Sequence, residues 1–437
     1  MSELGQRPPS VAKRTLATIL LLAVSACATS AAPGRDGADA GAPTATPSDG
    51  PGLYPICVGA RFGFIDRSGK VVVHPTLGMI DETIGELTVV WVLDPVPPEK
   101  EQPGLPPSAH AGLIDTRGRF AVKPIYEDAR TFSEGLAAVM RDGKWGFVDS
   151  KGTVRVPCRN ESAQSFSEGL ALVEDETGQK FIDTSGRTVI DVARLRWRRK
   201  GQELPVIADG PFVDGLAAFR VIFHGEYPDT LVGFMDRQGT IVIEPAFTYS
   251  YAFQRGYAKV QVLCGGGTGG RCEGIIRKDG SWAIPPAYEF LAGVYDGLVA
   301  FTAPVGKRHL HGFLDERNEV VVPPRYEHSC LWFREGLCQT KIGKHWAYVD
   351  RSGAEQIVLP PDTEYADEFS DGIAQVRTKA GDHYIRRDGS RAFEGTFKDA
   401  SRFRRGLAYV QFLEGGEGYI DPQGRIVYRQ AEPCKPW

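Results

Sequence analysis

The stretch Gly135-Leu-Ala-Ala-Val-Met-Arg-Asp-Gly-Lys-Trp-Gly-Phe-Val-Asp149 decides the fold. Leu136–Arg141 is a short apolar run, Asp142-Gly143-Lys144 is a turn signal, and Trp145–Asp149 is a second apolar run. Neither run shows the 3.6-residue period of a helix, so both read as strands. The next turn, Asp149-Ser-Lys-Gly152, leads into a third run, Thr153–Pro157. Asp at the first position of a type I turn caps nearby backbone N–H groups, and Gly takes the positive φ that closes the hairpin. The stretch therefore predicts a three-stranded antiparallel meander.

The meander recurs. Gly52–Asp66 aligns on Gly135–Asp149 without a gap and keeps Gly, Leu, Gly, Phe and Asp in register. A Gly-Leu-like start falls at Gly52, Gly135, Gly169, Gly215, Gly256, Gly297, Gly336, Gly372 and Gly406, with a degenerate start at Gly85. The hairpin Gly falls at Gly69, Gly118, Gly152, Gly186, Gly239, Gly280, Gly353, Gly389 and Gly424, with Asn318 in the remaining copy. Both landmarks count ten units. The chain has 51 Gly in 437 residues, above the usual share of about 7%, and position shows much of that surplus to be punctuation. Units that cannot bury a face alone must stack on neighbours.

Between units the chain reads Pro-x-Tyr-Glu, as at Pro124–Glu127 and Pro324–Glu327, then Phe-Ser-Glu-Gly-Leu, as at Phe132–Leu136 and Phe166–Leu170. Pro, lacking an N–H, is expected to end strand pairing, and the Tyr and Phe to be the apolar mortar between units. The whole unit resembles the bacterial WG-containing repeat, also called the KWG repeat. The departure is that the literal pair occurs only at Trp145-Gly146. The resemblance implies architecture and no particular activity. The expected fold is all-β: a tandem array of about ten three-stranded antiparallel β-meander repeats over residues 52–430. An open superhelical, solenoid-like form is preferred, with a closed propeller-like ring as the alternative, because ten units exceed the usual propeller count. Residues 431–437 read as a C-terminal tail.

Residues 1–26 read as an export signal. Lys13 and Arg14 precede the apolar stretch Leu16–Ala26, which is too short to span a membrane. The stretch ends Val24-Ser25-Ala26-Cys27, which resembles the lipobox of bacterial lipoproteins. The resemblance implies cleavage before Cys27, its lipidation, and a membrane anchor; Ala28 in place of Asp points to the outer membrane. Residues 27–51, rich in Ala, Pro and Gly, form a flexible tether. Loss of residues 1–26 removes three cations and one carboxylate, so the formal charge moves from −4 to −6. An acidic chain is a poor partner for nucleic acid. The basic run Arg194, Arg196, Arg198, Arg199 and Lys200 is expected to be a solvated insertion.

Cysteine use fits export. Cys264 with Cys272 and Cys330 with Cys338 are expected disulfides. Cys57 and Cys434 lie near the two ends of the array, and pairing them would bring those ends together. Seven cysteines besides Cys27 leave at least one thiol unpaired within the chain. The spacing has no CxxC pair, so a metal centre is not expected. The repeated Asp66, Asp115, Asp149, Asp183, Asp236, Asp315, Asp350 and Asp421 are expected turn caps rather than calcium ligands or acid–base groups. Arg277 and Arg386 hold that position in two copies, which an essential ligand would not tolerate. Gly69, Gly152, Gly239 and Gly353 are their structural companions. His309 and His311 alternate on a strand, but nothing completes a metal site around them. No nucleophile-elbow, zincin, phosphate-loop or dinucleotide motif occurs. Two insertions, Asp94–Ala111 and the segment around Arg194–Leu204, are candidate partner contacts. The expectation is a non-enzymatic, cofactor-free, lipid-anchored envelope protein that presents a surface to another protein. A glycan or cell-wall binder and an enzyme with a site in one irregular unit are the alternatives.

Overall fold

The computed structural model describes residues 52–81, 85–94, 108–223, 229–264, 270–432 and 434. The export signal, Cys27, the tether and residues 95–107 of the Pro-rich insertion lie outside them. Among the described residues every regular element is a strand, apart from one 3-10 turn at Val192–Arg194. Ten meanders follow one another, as expected, but each regular unit has a fourth strand. In unit 3 the opening, middle and closing strands are Leu136–Arg141, Lys144–Asp149 and Val154–Asn160. A two-residue strand, Asp128–Ala129, adds to the outside of the opening strand through Met140 and Val139.

The fourth strand exists because Pro does not end pairing. Val154 and Val156 of the closing strand pair with Val148 and Phe147; the register then jumps, and Asn160 pairs with Trp145. Pro157 sits in the jump, where a missing N–H costs no ladder bond. Immediately afterwards the Glu161 N–H donates to Glu174 O, and Ser162–Ala163 pair with the opening strand of unit 4. The chain thus leaves one sheet at a bulge and becomes the edge of the next. Between units 1 and 2 the handover is one unbroken strand, Val71–Ile80, paired on one side with Arg61–Ile65 and on the other with Leu87–Leu93.

The bulge explains the middle-strand glycine. A Cβ on Gly146 would lie 2.4 Å from Val156 O and 2.7 Å from Cys158 N. At Gly63, Gly112, Gly233, Gly312 and Gly418 the nearest closing-strand backbone atom would be 2.0 to 2.8 Å away. In units 4 and 8, where the closing strand stays in register, the position carries a side chain, although in unit 10 the strand also stays in register past Gly418. Ala347 and Tyr348 pair with Val358 and Ile357 in sequence, and Lys180 and Phe181 with Asp191 and Ile190. Glycine is dictated by the close approach of the closing-strand backbone, which is bulged in most of these units, whereas the preceding Trp is one of several residues that fit.

Neighbouring units share their cores. Phe147 of unit 3 packs on Phe166 of unit 4 at 4.8 Å, Phe181 on Phe212 at 4.7 Å, Phe234 on Phe253 at 4.8 Å and Tyr348 on Phe369 at 4.8 Å. Each hairpin Gly also rests on the closing strand of the preceding unit: Gly186 over Val156, Gly239 over Ile190, Gly280 over Ile243. Unit 10 meets unit 1 in the same way. Gly69 lies over Val427, and Tyr54, Ile56 and Ile65 share a core with Leu407 and Tyr419. Tyr419 Oη donates to Pro55 O at 2.6 Å, and Cys57 is bonded to Cys434. After the last closing strand, Ile426–Gln430, the chain reaches back, and Cys434 forms a parallel bridge with Gly59 beside the opening strand of unit 1. Among the described residues no sheet closes into a barrel. The array of ten units takes the ring-like alternative form, and its seam repeats the other junctions.

Gly146→Ala is expected to destabilise the protein by about 1–3 kcal/mol through overpacking against the bulge. Ala347→Gly is expected to cost under about 1 kcal/mol, the ordinary penalty of a strand glycine. Urea-unfolding midpoints check the pair, and equal costs would refute the bulge argument.

Candidate functional surface

One rim of the ring is built from two kinds of turn. The first is Phe-Ser-Glu-Gly-Leu. Ser133 and Leu136 exchange both backbone hydrogen bonds around Glu134 (φ 53) and Gly135 (φ 84). Positive φ at both central residues makes a type I′ turn, whose twist suits the strands it joins. The Glu side chain then serves the neighbour. Glu134 Oε2 accepts the Gly169 N–H at 2.8 Å, Glu168 Oε2 the Gly215 N–H at 2.9 Å, and Asp214 Oδ2 the Gly256 N–H at 2.6 Å. Further round, Glu335 and Asp371 do the same for Gly372 and Gly406. The serine adds a second link: Ser133 Oγ donates to Phe166 O, and Ser167 Oγ to Phe212 O. At the seam Tyr54 Oη donates to Arg405 O at 2.5 Å. Sequence reasoning assigned no role to this Glu. Its signal was an acidic residue before Gly at most unit starts.

The second turn is Asp-x-x-Gly. Asp149 Oδ1 accepts the N–H groups of Lys151 and Thr153, both at 2.9 Å, while Gly152 (φ 77) donates to Asp149 O. Asp66, Asp236, Asp315 and Asp350 cap their turns in the same way, and Asn318 takes φ 68 in place of Gly. Where Arg277 and Arg386 hold the Asp position, Asp279 and Asp388 cap Ser281 and Ser390 instead. Hydrogen bonding holds the Asp183 carboxyl down at about 2. The Ser185 hydroxyl is the largest cause, slight burial opposes it, and the Arg187 and Ser185 N–H groups reinforce it. These carboxylates are committed to backbone. They do not converge.

The remaining sequence candidates separate. Cys264–Cys272 and Cys330–Cys338 are disulfides, with Cα atoms 5.7 and 5.6 Å apart. Cys158 is the free thiol among the described residues, half-buried, and burial raises its pKa. His309 Nδ1 lies 3.5 Å from Glu289, and His311 Nδ1 lies 3.1 Å from the Thr302 hydroxyl. Burial, then the nearby His328, lowers the His311 pKa. Among the described residues no three His, Cys, Asp or Glu side chains gather to hold a metal ion. The basic insertion is a hairpin, Arg196–Arg199 with Gln202–Pro205. Arg194 pairs with Asp191 and Arg198 with Glu203, and Arg199 lies 4.6 Å over the Phe223 ring. Two of its five cations are thus paired with carboxylates, and Arg196 is held by the Ala193 and Leu195 carbonyls.

Two exposed features remain. The opening position of the closing strand carries exposed Phe120, Val154, Trp282, Val320 and Ile426 in five units. These strands pair on one side only, so apolar studs stand along free sheet edges in units 2, 3, 6, 7 and 10. Between units 3 and 4 lies an open depression of about 530 Å³, lined by Glu134, Asp149, Arg155 and Ser185 among others. Its two carboxylates are those already engaged in the rim.

Five segments, residues 112–145, 145–176, 233–262, 274–302 and 312–346, match the family described as WG containing repeat. They start at or beside the middle-strand Trp-Gly position, and the structure continues the same unit on both sides of them. No curated protein matches the chain. Among solved structures, the chain is similar to one described as a eukaryotic initiation factor, at 11% identity, 74% coverage of this chain, 95% of that one, and TM-score 0.45. It is also similar to the β-propeller domain of the Trilobed protease from Pyrococcus furiosus, at 12% identity, with 62% and 94% coverage and TM-score 0.33. These likenesses carry no functional argument.

The low Asp183 pKa has a stability consequence. A carboxyl depressed in the folded state stabilises fully above its unfolded value near 3.8 and loses that contribution as pH falls toward 2. Asp183→Ala is expected to lower stability at pH 7 and flatten the pH dependence between about 4 and 2. Acid titrations followed by circular dichroism read this directly, and an unchanged slope would refute the linkage.

Proposed function

We propose that the chain is a non-enzymatic interaction scaffold. It is held by lipid on Cys27 to a bacterial envelope membrane, the outer membrane on the Ala28 argument, and presents its ring to another protein at the end of the 27–51 tether. The observation that carries the reading is the set of exposed apolar studs at Phe120, Val154, Trp282, Val320 and Ile426. Apolar side chains repeated along free strand edges are costly to leave in water and favour a protein face. Repetition around a ring lets weak contacts add. The rim carboxylates, the obvious candidates for chemistry, are consumed by turns and junctions, which supports a binding role over catalysis.

Two measurements test this. Cys27→Ala is expected to move the protein from the membrane fraction to the soluble one; unchanged membrane association would exclude the anchor. Phe120→Asp combined with Trp282→Asp is expected to abolish in-cell crosslinking to the partner, with the thermal midpoint unchanged. Retention of the crosslinked band would remove the stud surface from consideration.

A further inference from the structure

A second exposed feature lies away from the studs. The short-strand position held by Asp128 in unit 3 is aromatic in four consecutive units: Tyr249, Phe290, His328 and Tyr365 in units 6 to 9. The same position is Met79, Asp128, Ser162, Ile207 and Asp399 elsewhere. The four fall, with neighbouring groups, into two ring clusters that His311 and His328 bring beside each other along one track. Tyr249 meets Tyr251 at 5.1 Å; Lys259 Nζ lies 4.4 Å over Tyr251 and 5.5 Å over Phe290. Phe290 meets His311 at 6.5 Å, His328 stacks on Trp346 at 6.1 Å, and Trp346 meets Tyr365 at 6.0 Å. Most other aromatic residues are core, Phe120 and Trp282 excepted: among the described residues the twelve largest fully buried side chains are all Tyr or Phe. Here Tyr249, Tyr251 and Tyr365 are 46%, 45% and 42% exposed.

We propose that this track binds a neutral polysaccharide chain of pyranose sugars. A pyranose offers an apolar C–H face bounded by hydroxyls, so it needs exposed rings interleaved with both donors and acceptors. The track supplies rings and the hydroxyls of Tyr249 and Tyr365, each able to donate and accept, while Lys259 and Glu273 hold each other and the Leu291 backbone beneath it. The cation is already neutralised by Glu273, both side chains being largely buried, and the chain carries a formal charge of −4. A polyanion therefore gains nothing here. A proline-rich peptide, the other common guest of aromatic grooves, presents carbonyl acceptors along its backbone and no hydroxyl rim. One aromatic position per unit across four units also suits a ligand that is itself a repeating polymer. The proposal is independent of the protein-partner reading, because it uses different residues.

The mature chain is titrated with chitohexaose, cellohexaose and maltohexaose, and with decaproline, by calorimetry and by tryptophan fluorescence. At least one hexaose is expected to bind and to shift the emission. Tyr249→Ala with Tyr365→Ala, both exposed positions, is expected to weaken that binding by about tenfold or more, the effect of losing two stacked rings. Phe120→Asp with Trp282→Asp is expected to leave it unchanged, which separates this site from the stud surface. Binding of decaproline but no hexaose, binding of nothing, or full affinity in the double alanine variant would each overturn the proposal.

Discussion

The structure depends on one close approach: in seven of the ten units the backbone of the closing strand lies against a middle-strand glycine. At Gly146 even a methyl group would collide with Val156 O. The approach is possible because the closing strand bulges at its proline, and the bulge carries the chain out of one sheet and onto the edge of the next. A unit therefore cannot be complete alone. Its short strand arrives from the unit before, and its closing strand departs to the unit after. The ladder, the shared aromatic core and the ring follow from that handover.

A second consequence is a division of labour among polar residues. Repeated carboxylates and hydroxyls invite a chemical reading, yet Asp149 caps its own turn, Glu134 holds the next unit's turn, and Ser133 holds the next unit's carbonyl. Each recurs between copies within this chain because each holds a backbone group of a turn or junction in place. What differs between units is then left to recognition. The variable short-strand position and the exposed start of the closing strand are where units cease to resemble one another.

Strands, turns and unit count were legible because they rest on local chemistry: Asp-x-x-Gly fixes a hairpin whatever its surroundings. The fourth strand was not. Pro157 reads locally as a stop, and only pairing with the next unit shows that the chain continues. The Glu134 link was hidden for the same reason, since its acceptor role spans 35 residues. The ring was half-legible: Cys57 and Cys434 marked the ends, but unit count argued for an open form, and only packing of Gly69 on Val427 resolves which geometry the junctions favour. The aromatic track could have been found by aligning short strands, had those strands been recognised.

The Cys57–Cys434 seam also bears on how such a molecule can change over time. An open stack can gain or lose a copy at either end, because its last unit faces water in any case. A ring has no last unit. Each junction must turn the chain by the same fraction of a circle, so a duplicated or deleted copy would misalign the seam and part the two cysteines. Growth has to occur within units, as loops, and the hairpin at Arg196–Pro205 is such an addition. The fold thus confines variation in size to excursions from a fixed circumference.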